Sequence, residues 1–261
     1  MVFKKAIRRL IGMAGYKIVK MPSQADVEEY DQDGLRSIHN HDFMTDATFC
    51  KAYERGCLAD SDYRWHWRVH IGLWAAFTAS KLVGDFVECG VNRGFLSSAI
   101  MEFLEWDTLG RTFYLLDTFE GLDLRYVSKE DCKSGALIKN EYELKRGFYV
   151  RGVESVIENF SQWRNIEIIK GSVPETLNQV ESERVAYLHL DMNCSPPEVA
   201  ALKYFWDRLV PGAVVLFDDY AYHGYESQKA ALDEVAKEYK VMIASLPTGQ
   251  GLLMKPYSYS P

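Results

Sequence analysis

The chain has 261 residues, 48% hydrophobic and 26% charged, a composition of one large or two small globular domains that excludes disorder and collagen-like repeats. Its net charge of −7 lacks the basic excess on which nonspecific nucleic-acid binding depends, so no nucleic-acid partner is expected. Five cysteines, odd in number and without a C-x-x-C pair, read as reduced thiols of a cytoplasmic protein rather than a disulfide framework.

The charge is unevenly spread. Residues 1–20 hold Lys4, Lys5, Arg8, Arg9, Lys17 and Lys20 and no acid, leaving 24 basic against 37 acidic residues, a balance of −13, for the remainder. Phe3, Ile7, Leu10 and Ile11 fall on one helical face beside these cations, the pattern of a helix in peripheral contact with an anionic membrane or docked on the protein itself. Charges interrupt every apolar run of this head, which is not the pattern of a signal peptide, and no stretch approaches the ~18 apolar residues of a membrane span. Residues 21–62 are polar with little apolar rhythm. Residues 63–83 then predict a helix rich in Trp65, Trp67, Trp74 and Phe77, closing an N-terminal helical extension over 1–83.

Beyond Gly84 the pattern changes. Short apolar runs at 85–89, 112–116, 166–169, 184–190 and 213–217 predict buried strands, with helical segments near 95–106, 150–163, 174–181, 196–209 and 225–239. Such alternation predicts an α/β fold, a mostly parallel sheet covered by helices on both faces, over residues 84–261. Ser195 and Pro196 are the expected N-cap and first position of the fourth helix. Runs at 241–244 and 252–255 are expected to close the sheet as an antiparallel edge pair. Residues 121–149 interrupt the rhythm, and a connection of that length is read as a substrate lid or a passive insertion.

Ligands of open parallel sheets bind at the carboxyl ends of the strands, so the strand ends carry the functional reading. The first ends in Glu88-Cys89-Gly90-Val91-Asn92-Arg93-Gly94, a glycine turn without the third glycine of a dinucleotide fingerprint; no phosphate-loop motif occurs in the chain. The second ends at Asp117, placed to accept hydrogen bonds from ribose hydroxyls. Together they predict a nucleoside site without a pyrophosphate. Gly90 and Gly94 would let a ligand approach the backbone, and Glu88 would meet an ammonium or hydroxyl.

The fourth and fifth strands end in His189-Leu190-Asp191-Met192-Asn193 and Phe217-Asp218-Asp219-Tyr220. Three carboxylates at one rim repel unless a cation or shared protons neutralise them, and hard oxygen ligands suit magnesium or calcium, so Asp191, Asp218 and Asp219 are candidate metal ligands. Asn193 would add an amide oxygen. His223 is a candidate general base beside Asp191. His189, His66 and His70 read as packed histidines, Cys194 lacks an activating neighbour, and the absence of G-x-S-x-G weakens a hydrolase reading.

The segments Glu88-Cys89-Gly90-Val91-x-Arg93-Gly94, Leu116-Asp117-Thr118-Phe119-Glu120-Gly121-Leu122, Leu190-Asp191 and Asp218-Asp219-Tyr220 occur in the order seen in a known family. The sequence over about residues 80–256 resembles the macrocin O-methyltransferase family of class I S-adenosylmethionine-dependent enzymes, in a bacterial subgroup. The resemblance implies a Rossmann-like seven-stranded sheet with its last strand antiparallel. It implies that Glu88, Gly90 and Gly94 line the methionine part of S-adenosylmethionine, that Asp117 holds the ribose, and that Ser172 approaches the adenine. It further implies that Asp191, Asp218 and Asp219 hold magnesium, which would lower the pKa of an acceptor hydroxyl on a sugar or glycosylated small molecule. One departure stands out: where the family has Asp-Gly-Asp, this chain has Asp191-Met192-Asn193.

The expected activity is thus magnesium-assisted O-methylation, with Asp191 or His223 as base and the helix around Trp65 and Trp67, together with 121–149, enclosing the acceptor. Two alternatives stand beside it: a metal-independent methyltransferase, and a noncatalytic adenosine-binding scaffold. The aromatic content is compatible with a homo-oligomer.

Overall fold

The computed structural model describes residues 7, 11–13, 15 and 29–257; the basic amphipathic pattern of residues 1–20 lies almost wholly outside them. A hairpin of β1 (Tyr30–Gln32) and β2 (Leu35–Ser37) leads into helices α1 (Ala47–Ala59) and α2 (His66–Ser80). The sheet and its covering helices follow: β3 (Asp85–Cys89), α3 (Phe95–Phe103), β4 (Phe113–Asp117), α4 (Lys129–Lys133), α5 (Ala136–Arg146), α6 (Glu154–Phe160), β5 (Ile166–Lys170) and β6 (Val185–Leu190). The chain closes through α7 (Ser195–Phe205), β7 (Leu209–Phe217), α8 (Glu226–Glu238), β8 (Ala244–Ser245) and β9 (Gly251–Met254).

The seven strands lie in the order β5-β4-β3-β6-β7-β9-β8. The pairs β3–β4, β3–β6, β4–β5 and β6–β7 are parallel, whereas β9, the last in sequence, runs antiparallel between β7 and β8. This is the predicted sheet with its reversed final strand. Strand order turns back between β3 and β6, so the ends of these two strands form the switch point at which a crevice opens.

Alternation along the strands divides the core in two. Phe86, Phe113, Leu115, Tyr187, Val214 and Leu216 face one layer with Val69, Leu73 and Ala76 of α2 and Ala99 and Ile100 of α3. Val87, Leu116, Leu188, Leu190, Val215 and Phe217 face the other with Leu202 and Phe205 of α7 and Leu232 and Val235 of α8. Truncating a ring such as Phe86, wholly buried, costs about 3–5 kcal/mol.

Four expectations are corrected. Residues 21–62 contain a hairpin and a helix; α1 is capped by Asp46, whose side chain accepts the Phe49 N–H, a local signal that weak apolar periodicity masked. Residues 174–181 form only a short 3-10 turn at Leu177–Gln179. The interruption at 121–149, where the sequence rhythm lapses, nonetheless carries two helices, α4 and α5. Finally, α7 begins at Ser195 itself, and no local side chain caps it. The cap is tertiary: Asp131 of α4 accepts the Ser195 N–H at 3.1 Å and its hydroxyl at 2.6 Å, placing a carboxylate at the positive end of the helix. His66 and His70 pack as expected, stacked on Tyr53 and Phe43 at 4.3 and 4.0 Å between ring centroids.

Candidate active site

At the carboxyl ends of β3, β4, β6 and β7 lies a cavity of about 480 Å³. Its floor is the β3 turn. Gly90 has φ +92°, and a Cβ there would stand 1.9 Å from the Asp191 carbonyl oxygen, so the ends of β3 and β6 approach each other as only glycine permits. The loop is pinned by Asp117. Its Oδ2 accepts the Val91 and Asn92 N–H groups at 2.7 and 2.8 Å, and its Oδ1 accepts that of Phe119 at 2.7 Å. The residue expected to hold a ribose therefore first organises the turn, although it still lines the cavity.

Ser172 also lines the wall and donates to Asp123 at 2.5 Å. Gly94 does not line it. Its Cβ direction points at the Phe160 ring, 2.5 Å away, so this glycine serves the start of α3 and its packing on α6. Glu88 reaches the cavity with its carboxylate engaged, accepting from the Ser97 hydroxyl and lying 2.8 Å from Nδ1 of His189. Burial alone would discharge His189, but Asp218 and Glu88 outweigh it and push its pKa up to about 10.

The three rim carboxylates do converge on the cavity. What the sequence reading missed is a cation among them. Arg68 projects from α2 and is 8% exposed, donating from Nη1 to Asp218 Oδ2 at 2.6 Å and from Nη2 to the Asp218 carbonyl at 2.9 Å and Asp219 Oδ1 at 3.2 Å. Its Nε stands 3.3 Å from Asp33 in the β1–β2 turn, and its guanidinium lies 4.7 Å from the Tyr222 ring. A signal was present: Arg68 is the sole Asp, Glu, Lys or Arg in α2, and it sits one residue from the core-facing Val69.

These contacts set the electrostatics. Burial would raise Asp218, but Arg68 and His189 hold it well below the ordinary carboxylate range. Asp219 is pushed up to about 6, by burial and by Asp218 against the pull of Arg68. Asp191 is raised well above an ordinary carboxyl, by burial and then by Asp218 and Asp219. Asn193 donates to Asp191 at 3.2 Å and accepts the Tyr225 hydroxyl at 2.5 Å, while Lys139 of α5 donates to that hydroxyl.

This donor set does not fit a magnesium ion. Asp218 Oδ2 serves Arg68, its Oδ1 accepts Gln250 Nε2 at 3.0 Å, and the Asn193 oxygen is taken. No group of three or more acids, histidines or cysteines among the described residues is arranged to hold a metal. The second expected base fails on position, because His223 is fully exposed outside the cavity and lies 3.7 Å from Glu226.

The mouth is aromatic. Tyr63 and Trp65 stack at 4.4 Å, and Phe148 stands edge-on to both. Trp67 does not contribute; it packs on Phe43, Tyr30 and His70 behind the wall. Lys139, Glu143, Arg146 and Tyr149 line the cavity from residues 121–149.

A sheet of this order with a glycine-turned switch point is the class I methyltransferase fold. The O-methyltransferase NovP superposes with a TM-score of 0.62 at 19% identity, over 73% of this chain and 80% of that one. Calicheamicin methyltransferase CalS11 does so with a TM-score of 0.57 at 16% identity, over 83% and 94%. The chain belongs to the macrocin O-methyltransferase (TylF) family, whose sequence profile matches residues 73–242. It is 24% identical over 166 residues to the mycinamicin III 3''-O-methyltransferase of Micromonospora griseorubida, covering 59% of this chain and 65% of that protein. It is 29% identical over 151 residues to the 8-demethyl-8-(2,3-dimethoxy-alpha-L-rhamnosyl)-tetracenomycin-C 4'-O-methyltransferase of Streptomyces olivaceus, covering 55% of each. The chain thus spans less than two thirds of the length of these curated relatives. No helix among the described residues is long and apolar enough to cross a membrane.

Proposed function

We propose that the protein is an S-adenosylmethionine-dependent O-methyltransferase acting on a hydroxyl of a sugar or glycosylated small molecule. The observation that carries this reading is one continuous cavity lined by the Gly90 turn and Ser172, by Asp191 and Asp219, and by the aromatic Tyr63 and Trp65. The names of the two relatives, both O-methyltransferases and one of them acting on a rhamnosyl compound, support the acceptor class.

The bound donor supplies an electrophilic methyl group on sulfur. The Val91–Asn92 turn, held by Asp117, positions the donor, and the stacked Tyr63 and Trp65 offer an apolar face to a sugar ring. A bound donor would supply the methyl group to the acceptor oxygen, and the Asp191 carboxylate is placed to take the hydroxyl proton. A carboxylate whose pKa is raised by burial and by its acidic neighbours holds an accepted proton more firmly than an ordinary one. Residues 121–149, supplying Lys139 and Tyr149 to the wall, act as the lid, and the segment before residue 84 caps the acceptor. Of the metal-assisted and metal-independent forms, the Arg68 contacts favour the second.

Calorimetric titration with S-adenosylmethionine is the first test. Micromolar binding is expected, weakened about tenfold to a hundredfold in Asp117→Ala because two loop N–H groups lose their acceptor. Absence of binding by the unaltered protein would overturn the reading. Methyl transfer from labelled donor to a panel of deoxysugar glycosides is the second test. Asp191→Asn should keep donor affinity and lower turnover by about 10²–10⁴. Donor binding without transfer to any glycoside would favour the scaffold alternative.

A further inference from the structure

The carboxylate cluster is balanced from within the chain by a residue that the family match does not reach. Arg68 and Asp33 both precede the matched segment, residues 73–242, yet they complete the rim formed by Asp218 and Asp219. Arg68 offers a fixed fork of donors, and here Nη1 and Nη2 bind two carboxylates and a carbonyl while the Tyr222 ring covers the guanidinium plane. Two amides complete the hydrogen bonds of the rim, Gln250 on Asp218 and Asn193 on Asp191, and His189 Nε2 stands behind Asp218 at 3.9 Å. A divalent cation at this rim would meet a permanent positive charge within contact range, in a setting where repulsion is poorly screened.

We propose that Arg68 takes the place of the divalent metal in this protein: a built-in cation that fixes Asp218 and Asp219 and leaves the acceptor hydroxyl to Asp191 and the free oxygen of Asp219. This rests on the reading of the cavity as a methyl-transfer site. Asp219 Oδ2 has no protein partner among the described residues, so an acceptor hydroxyl can reach it without displacing the guanidinium. Arg68 is then a positioning residue acting through the two carboxylates.

The test uses the full chain with S-adenosylhomocysteine present and manganese as the probe, reading the free manganese signal by electron paramagnetic resonance. The unaltered protein is expected to leave that signal undiminished at about millimolar manganese, whereas Arg68→Met, which keeps the length but not the charge, should take up about one ion per chain. Magnesium should likewise raise the melting temperature of Arg68→Met and leave that of the unaltered protein where it was. Tight manganese uptake by the unaltered protein would overturn the proposal. So would a folded Arg68→Met that takes up none, since the guanidinium would then not be what excludes the ion. Should Arg68→Met not fold, the unaltered protein decides alone. S-adenosylhomocysteine affinity, measured separately, reports on the methyltransferase reading whatever manganese does.

Discussion

Gly90→Ala is expected to abolish donor binding and to destabilise the fold by on the order of 2–4 kcal/mol. Two effects combine. A φ of +92° strains any residue with a Cβ, and that Cβ would stand 1.9 Å from a backbone oxygen, that of Asp191, which no rotamer change can move. To make room, β3 and β6 would have to part at the switch point, carrying away the Val91 and Asn92 amides that Asp117 holds. Gly110→Ala is the control. Its φ is +62° with nothing within 4 Å, so it should cost only the backbone strain, about 1–2 kcal/mol, and leave donor affinity unchanged. Denaturant midpoints and donor titrations on both variants give the comparison, and equal midpoints for the two would show that the close approach is absent.

Stability is expected to decline as pH rises from about 6.5 to 10, and His189→Gln should remove most of that decline. His189 carries a pKa of about 10 in the fold against an ordinary 6.5, because Asp218 and Glu88 overcome its burial. Through this window the folded state holds a proton that the unfolded state has released. The stabilisation is complete below pH 6.5 and is lost as pH passes through about 10, with a magnitude on the order of a few kcal/mol. Glutamine keeps a donor for Glu88 without the titrating charge. Glu198 adds a second, separable slope. Burial pushes it up to about 8 from 4.5, so the unfolded state sheds its proton first and stability falls between those values. Glu198→Gln should therefore flatten the lower part of the curve and His189→Gln the upper. Denaturant midpoints at stepped pH decide the matter, and an unaltered decline above pH 8 in His189→Gln would refute the assignment.

The sheet was readable because strands buried on both faces must be continuously apolar: β6, predicted at 184–190, is buried at all six of its positions. The β3 turn was readable because its glycines precede a helix, and the rim carboxylates because strand ends are where a parallel sheet presents polar groups. Three things were not. The role of Gly94 depends on Phe160, far along the chain, so spacing could not separate it from Gly90. The cap of α7 comes from Asp131 across the fold, which local capping rules cannot see. The cation among the acids comes from a helix over a hundred residues earlier, and nothing local links an arginine in an aromatic stretch to acids at distant strand ends. Each miss is a long-range contact overriding a local pattern.

The cavity joins two lineages of constraint. Gly90, Asp117 and Ser172 reach it from the sheet, whereas Tyr63, Trp65 and Arg68 reach it from the segment ahead of the family match. Drift in that leading segment can therefore reshape one half of the chamber while the other half is held constant by the geometry of the strands. Under the proposed function, homologues alike throughout the sheet would differ in what they accept through positions such as Tyr63 and Trp65.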